Sequence, residues 1–192
     1  MRKLIVEEWI SLDGYAADKN NSTDFFRDIS PQQKNRAEQD QLKFMQSVDA
    51  ILLGRKTYEL FSSFWPAVSG KEELMATPIN HTKKLIFSNS VSEAQWGTYD
   101  NAEIITGDAV QRIKEFKETD GGNMILWGSI SLAQALLKSN LVDELHVTIC
   151  PVLLGAGLPL FPGADDFRQF ELTELRNYNT GYVFFNYRPV SQ

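Results

Sequence analysis

Asp49-Ala50-Ile51-Leu52-Leu53-Gly54-Arg55-Lys56-Thr57 is the stretch on which the fold turns. Ala50 to Leu53 is an unbroken apolar run too short for a buried helix, and it suits a strand covered on both faces of a parallel sheet. Gly54 ends it, and Lys56 to Phe61 has the residue types of a short helix. Strand, glycine and helix in succession make the unit from which α/β sheets are built.

The same grammar recurs on either side. Asn123 to Trp127 reads as a strand, Gly128 as its stop and Ser129 to Lys138 as a helix. Lys84 to Phe87 and Glu103 to Thr106 read as strands, with a helix over Ala109 to Phe116 after the second, and Glu144 to Cys150 as a further strand. Upstream, Lys3 to Ile10 is β-rich and is broken by the turn residues Ser11-Leu12-Asp13-Gly14. Ala17 to Ser30 is polar and reads as a loop. Ser30-Pro31 is an N-cap and first-turn pair for a helix to Gln46, with Ala37, Leu42, Phe44 and Met45 on its apolar side. Downstream, Phe170 to Tyr178 and Tyr182 to Tyr187 form a hairpin joined at Asn179-Thr180-Gly181. The expectation is α/β: one three-layer α/β/α domain over residues 1–192, with a mixed, mostly parallel central sheet and a C-terminal antiparallel hairpin.

Composition narrows the function. The 192 residues are 43% hydrophobic and 23% charged, which is ordinary for a globular domain. The net charge of −6, with Lys83-Lys84 as the main basic doublet, argues against a nucleic-acid partner. The longest apolar runs are too short to span a membrane, and Glu7 and Glu8 interrupt any signal-like segment. Cys150 is the one cysteine and cannot form an internal disulfide. A cytoplasmic location is expected.

Ligands of open α/β sheets sit at the carboxyl ends of the strands. Three such ends carry small or polar residues. Gly54-Arg55-Lys56-Thr57 offers a helix N-terminus and a cation to a phosphate; it is equally a strand-to-helix turn with a snorkelling arginine. Trp127-Gly128-Ser129-Ile130-Ser131 repeats the arrangement, with Ser129 as either an anion contact or a helix cap. Phe87-Ser88-Asn89-Ser90 is compatible with a ligand or a turn. No metal site is expected: His81 and His146 are isolated, and His146 reads as a satisfied strand histidine. Asp13, Asp24 and Asp28 are candidate acids that also suit turns.

Four segments, Ser11-Leu12-Asp13-Gly14, Gly54 to Glu59, Leu141-Val142-Asp143-Glu144-Leu145 and Pro151 to Phe161, together resemble the C-terminal reductase domain of bacterial riboflavin biosynthesis. That family is a branch of the dihydrofolate-reductase fold, and the resemblance runs from about Lys3 to Tyr187. It implies about eight strands and an NADPH-dependent reductase, with NADH as the other cofactor, acting by hydride transfer to a C=N or C=O carbon of a small heterocycle. The resemblance places Gly54, Arg55, Lys56 and Thr57 at the cofactor phosphates, Ser88, Asn89 and Ser90 beside the adenine ribose, and Gly107 at the adenine. It places Gly128, Ser129, Ile130, Ser131 and Leu132 under the pyrophosphate, and Ile10, Ser11, Leu12, Gly14 and Ala16 around the nicotinamide.

Two departures matter. Asn89 stands where members often carry arginine, which leaves Arg55 as the main cation. Asp40-Gln41-Leu42-Lys43 replaces a His-x-Leu-Arg segment, which argues against the phosphorylated pyrimidine of that pathway as substrate. Substrate contacts are expected from Ser11, Asp24, Phe25, Trp65 and Leu154, with Asp13 or Asp24 as proton donor. A true dihydrofolate reductase and a non-catalytic nucleotide sensor are the alternatives. The apolar stretch Val147 to Phe161 and the aromatic hairpin after it suggest a homodimer.

Overall fold

The computed structural model describes residues 1–26, 31–161, 168–178 and 181–190. Asp28, Ser30 and the turn residues Asn179 and Thr180 lie outside them. The elements, in chain order, are β1 (Leu4–Ser11), β2 (Tyr15–Asp18), α1 (Pro31–Met45), β3 (Val48–Gly54), α2 (Arg55–Phe64), α3 (Ala76–His81), β4 (Lys83–Phe87), β5 (Ala102–Ile105), α4 (Ala109–Lys117), β6 (Asn123–Trp127), α5 (Ile130–Lys138), β7 (Glu144–Cys150), β8 (Gly157–Pro159), β9 (Phe170–Asn177) and β10 (Val183–Pro189). Eight strands form one sheet in the order β5-β4-β3-β6-β1-β7-β10-β9. Pairing from β5 to β7 is parallel, and β10 and β9 add antiparallel.

The alternation within each strand explains the layers. In β3, Ala50 and Leu52 face the layer containing α4 and α5, where Ile113, Ile130, Ala133 and Leu136 complete a core. Ile51 and Leu53 face the other layer, where Met45 from α1, Tyr58 from α2 and Ile79 from α3 meet Ile5 and Ile125. Ala50 to Leu53 are no more than 2% exposed, as a strand covered on both faces requires.

Several short elements carry no local signal. β2 and β8 pair as a small separate sheet, Tyr15 opposite Pro159 and Asp18 opposite Gly157, and only that long-range pairing makes strands of these short segments, the first of which runs into the stretch from Ala17 read as loop. α3 was not expected either, and α2 runs on to Phe64 because Phe61 and Phe64 both pack on Trp65. Among the described residues, no helix is long and apolar enough to cross a membrane.

Candidate active site

The three strand ends singled out by sequence do meet along one edge of the sheet. The backbone N–H of Gly54 donates to Ser129 Oγ at 2.7 Å, and Ser129 Oγ and N both lie 2.9 Å from Thr57 Oγ1. The two strand-to-helix turns are thereby tied together. Gly128 permits this contact: its φ is +58°, and a Cβ there would lie 3.0 Å from Thr57 Oγ1. Ser129 follows at φ +56°, a left-handed conformation uncommon for a serine.

Ser129 therefore does not cap α5, and α2 has no side-chain cap at Gly54. The first-turn N–H groups of a helix have no partner within it, so two uncapped N-termini stand side by side. α4 is different. Asp108 accepts from Val110 N at 2.9 Å and Gln111 N at 3.1 Å, which closes that helix to an anion. A phosphate approaching this edge meets N–H dipoles at α2 and α5 and a carboxylate at α4.

Arg55 is exposed at the start of α2, where it pairs with Glu59 at 2.9 Å. Asn89 holds its neighbour: its Oδ1 accepts from Gly107 N at 2.7 Å, which fixes the turn after β5 to the end of β4. Ser88 Oγ accepts from Ser90 N at 3.1 Å and makes a local turn. These residues lie at the expected edge, with their side chains shaping it.

The β1 residues divide differently. Ile10 and Ala16 are buried in the core, and Leu12 is 60% exposed. Ser11 is fully buried; its hydroxyl donates to Asp13 and accepts from Tyr15 N at 3.0 Å, so it has little left for a substrate. Asp13 also accepts from Gly155 N at 2.7 Å and Leu154 N at 3.1 Å, which pins the β1–β2 turn to the loop after β7. The Ser11 hydroxyl, with the two N–H groups behind it, holds the Asp13 carboxyl down to about 2. It has no proton to give at neutral pH, so Asp13 is an anchor rather than the acid expected from sequence.

Trp65 is the clear misplacement. Its carbonyl accepts from Asn80 Nδ2 at 2.8 Å, and Asn80 sits just before β4 begins. That is the amino edge of the sheet, one length of α2 away from the turns above. Phe25 fares better. It packs on Phe26 at 5.2 Å, which packs on Trp9 at 5.5 Å, and Trp9 meets Tyr182 at 5.8 Å. Asp24 accepts from the Ser22 hydroxyl at 2.7 Å at the head of that aromatic chain.

Trp9 leads to a cavity of about 100 Å³ between α1 and the sheet. Its floor is two rows of side chains that cross the strands. One row reads Glu7, His146, Asn186, Glu174; the other, from β1 outward, reads Trp9, Thr148, Phe184, Arg176. Trp127, directly before Gly128, is the register partner of Glu7 on the neighbouring strand β6. Asp40, Gln41 and Phe44 of α1 line the opposite side. His146 stands between two carboxylates, with Nδ1 3.4 Å from Glu7 and Nε2 3.4 Å from Glu144. Burial alone would lower its pKa, but the bonds to Glu144 and Glu7 outweigh it and hold the imidazole above its ordinary value. Hydrogen bonds from His146, Lys3 and Asn186 hold Glu144 well below the usual carboxylate range against its own burial. Sequence reading took His146 for a satisfied strand histidine and passed over Glu7, Glu144 and Asn186. The register that aligns them is not encoded locally; the one local signal is three ionisable residues at inward positions of otherwise apolar strands.

Residues 2–184 match the RibD C-terminal domain family. The chain belongs to that family. It is 27% identical over 185 residues to the uncharacterized protein YyaP of Bacillus subtilis, covering 95% of this chain and 92% of that one. Among solved structures it is similar to a putative riboflavin biosynthesis protein from Shewanella sp. PV-4, with a TM-score of 0.78, 25% identity and coverage of 98% and 99% of the two chains. Dihydrofolate reductase from Enterococcus faecalis, solved with NADP(H), shares the fold: TM-score 0.61, 11% identity, coverage of 98% and 97%.

Proposed function

We propose that the protein is an NAD(P)H-dependent reductase that transfers hydride to a C=N or C=O carbon of a small heterocycle. The observation that carries this is the pair of uncapped helix N-termini at α2 and α5, joined through Ser129 and Thr57 beside the cavity. Family and fold support the same reading. A dinucleotide fits the edge: Gly54 and Gly128 leave the backbone open to phosphate, the N–H groups of α2 and α5 neutralise it, and Arg55 offers a cation once it releases Glu59. The bound nicotinamide supplies the hydride. The protein orients it at the end of β1 and β6, while Trp9, backed by Phe26 and Tyr182, gives the cavity an aromatic end.

Thermal shifts with NADPH, NADH and FMN test the reading, since a ligand that binds the folded state raises its stability. NADPH should give the larger shift and FMN none. Absence of a shift with either nicotinamide at millimolar concentration removes the reductase. NADPH oxidation with dihydrofolate, against none with other imines and carbonyls, would make the protein a true dihydrofolate reductase, and binding without any turnover would make it a sensor.

The same reading takes the chain as a cytoplasmic homodimer. Of the hairpin rings, Tyr182 and Phe184 are buried within the chain, and Phe170, Tyr178, Phe185 and Tyr187 are half-buried and remain available to a contact surface. Aliphatic surface remains: Leu172 and Leu175 on the edge strand β9 are 45% and 54% exposed, and Leu153 is 74% exposed. Light scattering that finds only a 21.8 kDa species at all concentrations excludes the dimer.

A further inference from the structure

Strand β9 ends the sheet, and among the described strands it pairs with β10 alone. Its outer side offers backbone N–H and C=O groups to a further strand. In its middle the register with β10 shifts: Leu175 lies opposite Phe185, Glu174 opposite Asn186 and Leu172 opposite Tyr187, which leaves Thr173 as an extra residue. Thr173 Oγ1 donates to Asn186 O at 3.0 Å and holds the bulge.

The bulge sorts the side chains. Two leucines three residues apart would face opposite sides of a regular strand. Here both stand on the side of Phe185 and Tyr187, away from the cavity, and are 45% and 54% exposed. The charged residues fall on the other side: Glu174 and Arg176 line the cavity, and Glu171 lies opposite Arg188.

Sorted in this way, Phe170–Asn177 complements a second copy of itself laid antiparallel along its outer side. With the centre of the pairing between Thr173 and Glu174, each Leu172 meets Leu175 of the other copy and each Glu171 meets Arg176. Each Thr173 falls opposite Glu174, so the two bulges coincide at the centre and the register runs true on either side. Neighbouring registers fail. A slip of one residue sets Leu172 against Glu174 or Arg176. A slip of two sets Glu171 against Glu174 in one direction and faces Glu174 and Arg176 with uncharged residues in the other. Opposite charges across a strand pair stabilise it, and like charges destabilise it. The two Glu174 side chains also approach near the centre, but each has its own Arg176 at 2.6 Å to offset the other.

The apolar side extends the contact. Phe185 and Tyr187 stack at 5.8 Å beside the leucines and, with Phe170, are half-buried. A two-fold axis brings the same band of the other copy alongside.

We propose that two copies of the chain join edge to edge through β9, antiparallel about a two-fold axis between Thr173 and Glu174, so that their sheets run on as one. Glu171 of each copy then stands between Arg188 of its own chain and Arg176 of the other, and lends a carboxylate to the outer end of the other copy's cavity. This rests on the homodimer reading and deepens it, assigning the surface, the register and the residue that each copy gives to the other.

Cysteine pairs test the register, since a disulfide needs Cα atoms roughly 4.4–6.8 Å apart, the spacing of directly opposed residues in a sheet. The native Cys150 is buried and does not interfere. Leu172→Cys/Leu175→Cys, and an equal mixture of the two single variants, should each give a covalent dimer in non-reducing gels after mild oxidation. Either single variant alone should give at least about tenfold less, because its two thiols are offset by about 10 Å along the strands. Glu171→Arg, which sets arginine against arginine, should raise the dimer dissociation constant about tenfold in analytical ultracentrifugation. Only a 21.8 kDa species at every concentration overturns this interface and the homodimer together. A dimer that the cysteine pair does not link, that either single variant links as readily, or that Glu171→Arg leaves unaltered overturns this interface and leaves the homodimer standing.

Discussion

At the amino edge of the sheet, Lys84 is wholly buried at the start of β4, yet its ammonium donates to Asn80 O at 2.7 Å, Thr82 O at 2.9 Å and Asn101 Oδ1 at 2.9 Å. It also lies 4.4 Å over the Trp96 ring, whose own N–H donates to Asn80 Oδ1 at 2.8 Å. Toward the other edge, three buried polar atoms have no partner among the described residues: Glu8 Oε1, Trp127 Nε1 and Asn186 Oδ1. Trp127 and Asn186 belong to one cross-strand row, while Glu8, next to Glu7 in β1, points to the opposite face of the sheet with Val6 and Ile10. One edge spends its polar groups on itself, and the other holds them in reserve. Buried polar clusters that are fully paired rigidify a fold, and those that are incompletely paired carry a cost in stability.

Breaking the paired edge should cost most. Lys84→Met leaves three acceptors short of a donor and should destabilise by about 3 kcal/mol, with NADPH affinity unchanged, as measured by urea unfolding and calorimetry. Burial lowers the Lys84 pKa from 10.5 to about 7. Between those values the unfolded chain binds more protons, so in the wild type this group adds stability as pH rises through that window. Lys84→Met should flatten that rise, and a parallel pH profile for the two proteins would show that Lys84 is not its source.

On the reserved edge, Arg55→Ala should weaken NADPH roughly tenfold or more and NADH much less. Equal losses for both would mean that Arg55 does not meet the 2′-phosphate.

The smallest effect expected is a gain. Burial, aided by Glu7, pushes the Glu8 carboxyl well above 4.5. The unfolded chain gives up that proton near 4.5 while the folded chain retains it, so this group's contribution to stability declines as pH rises above 4.5. Glu8→Gln keeps the shape without the charge and should raise Tm by roughly 3 °C at pH 8, with little change near pH 4.5. A uniform change across pH would assign the effect to packing instead.

The sequence disclosed what is written locally. The run Ala50 to Leu53 marked a strand buried on both faces, and the glycines at 54 and 128 marked the turns that meet at the site. It misled wherever position depends on distance along an element or on pairing. Trp65 lies ten residues after Arg55, which a helix converts into travel from one edge of the sheet to the other. Glu7, His146 and Asn186 come from three strands far apart in the chain, and nothing near any one of them announces the other two. Asp13 is a polar loop residue with the look of an acid, but the Ser11 hydroxyl and the Gly155 and Leu154 N–H groups hold its carboxyl below the usual range.

The order of the strands sets a timetable as well as a shape. Both uncapped turns are complete once α5 has been made, whereas the far wall of the cavity, with Phe184 and Asn186, comes from β10, some forty-five residues further along the chain. His146 and Glu144 are then waiting beside Glu7 with one side open to water. Burial of that ionic cluster therefore waits for β10, after the parallel strands β1, β3, β4, β5, β6 and β7 have been made. A nascent chain is spared the cost of an enclosed charge until it has the scaffold to support one.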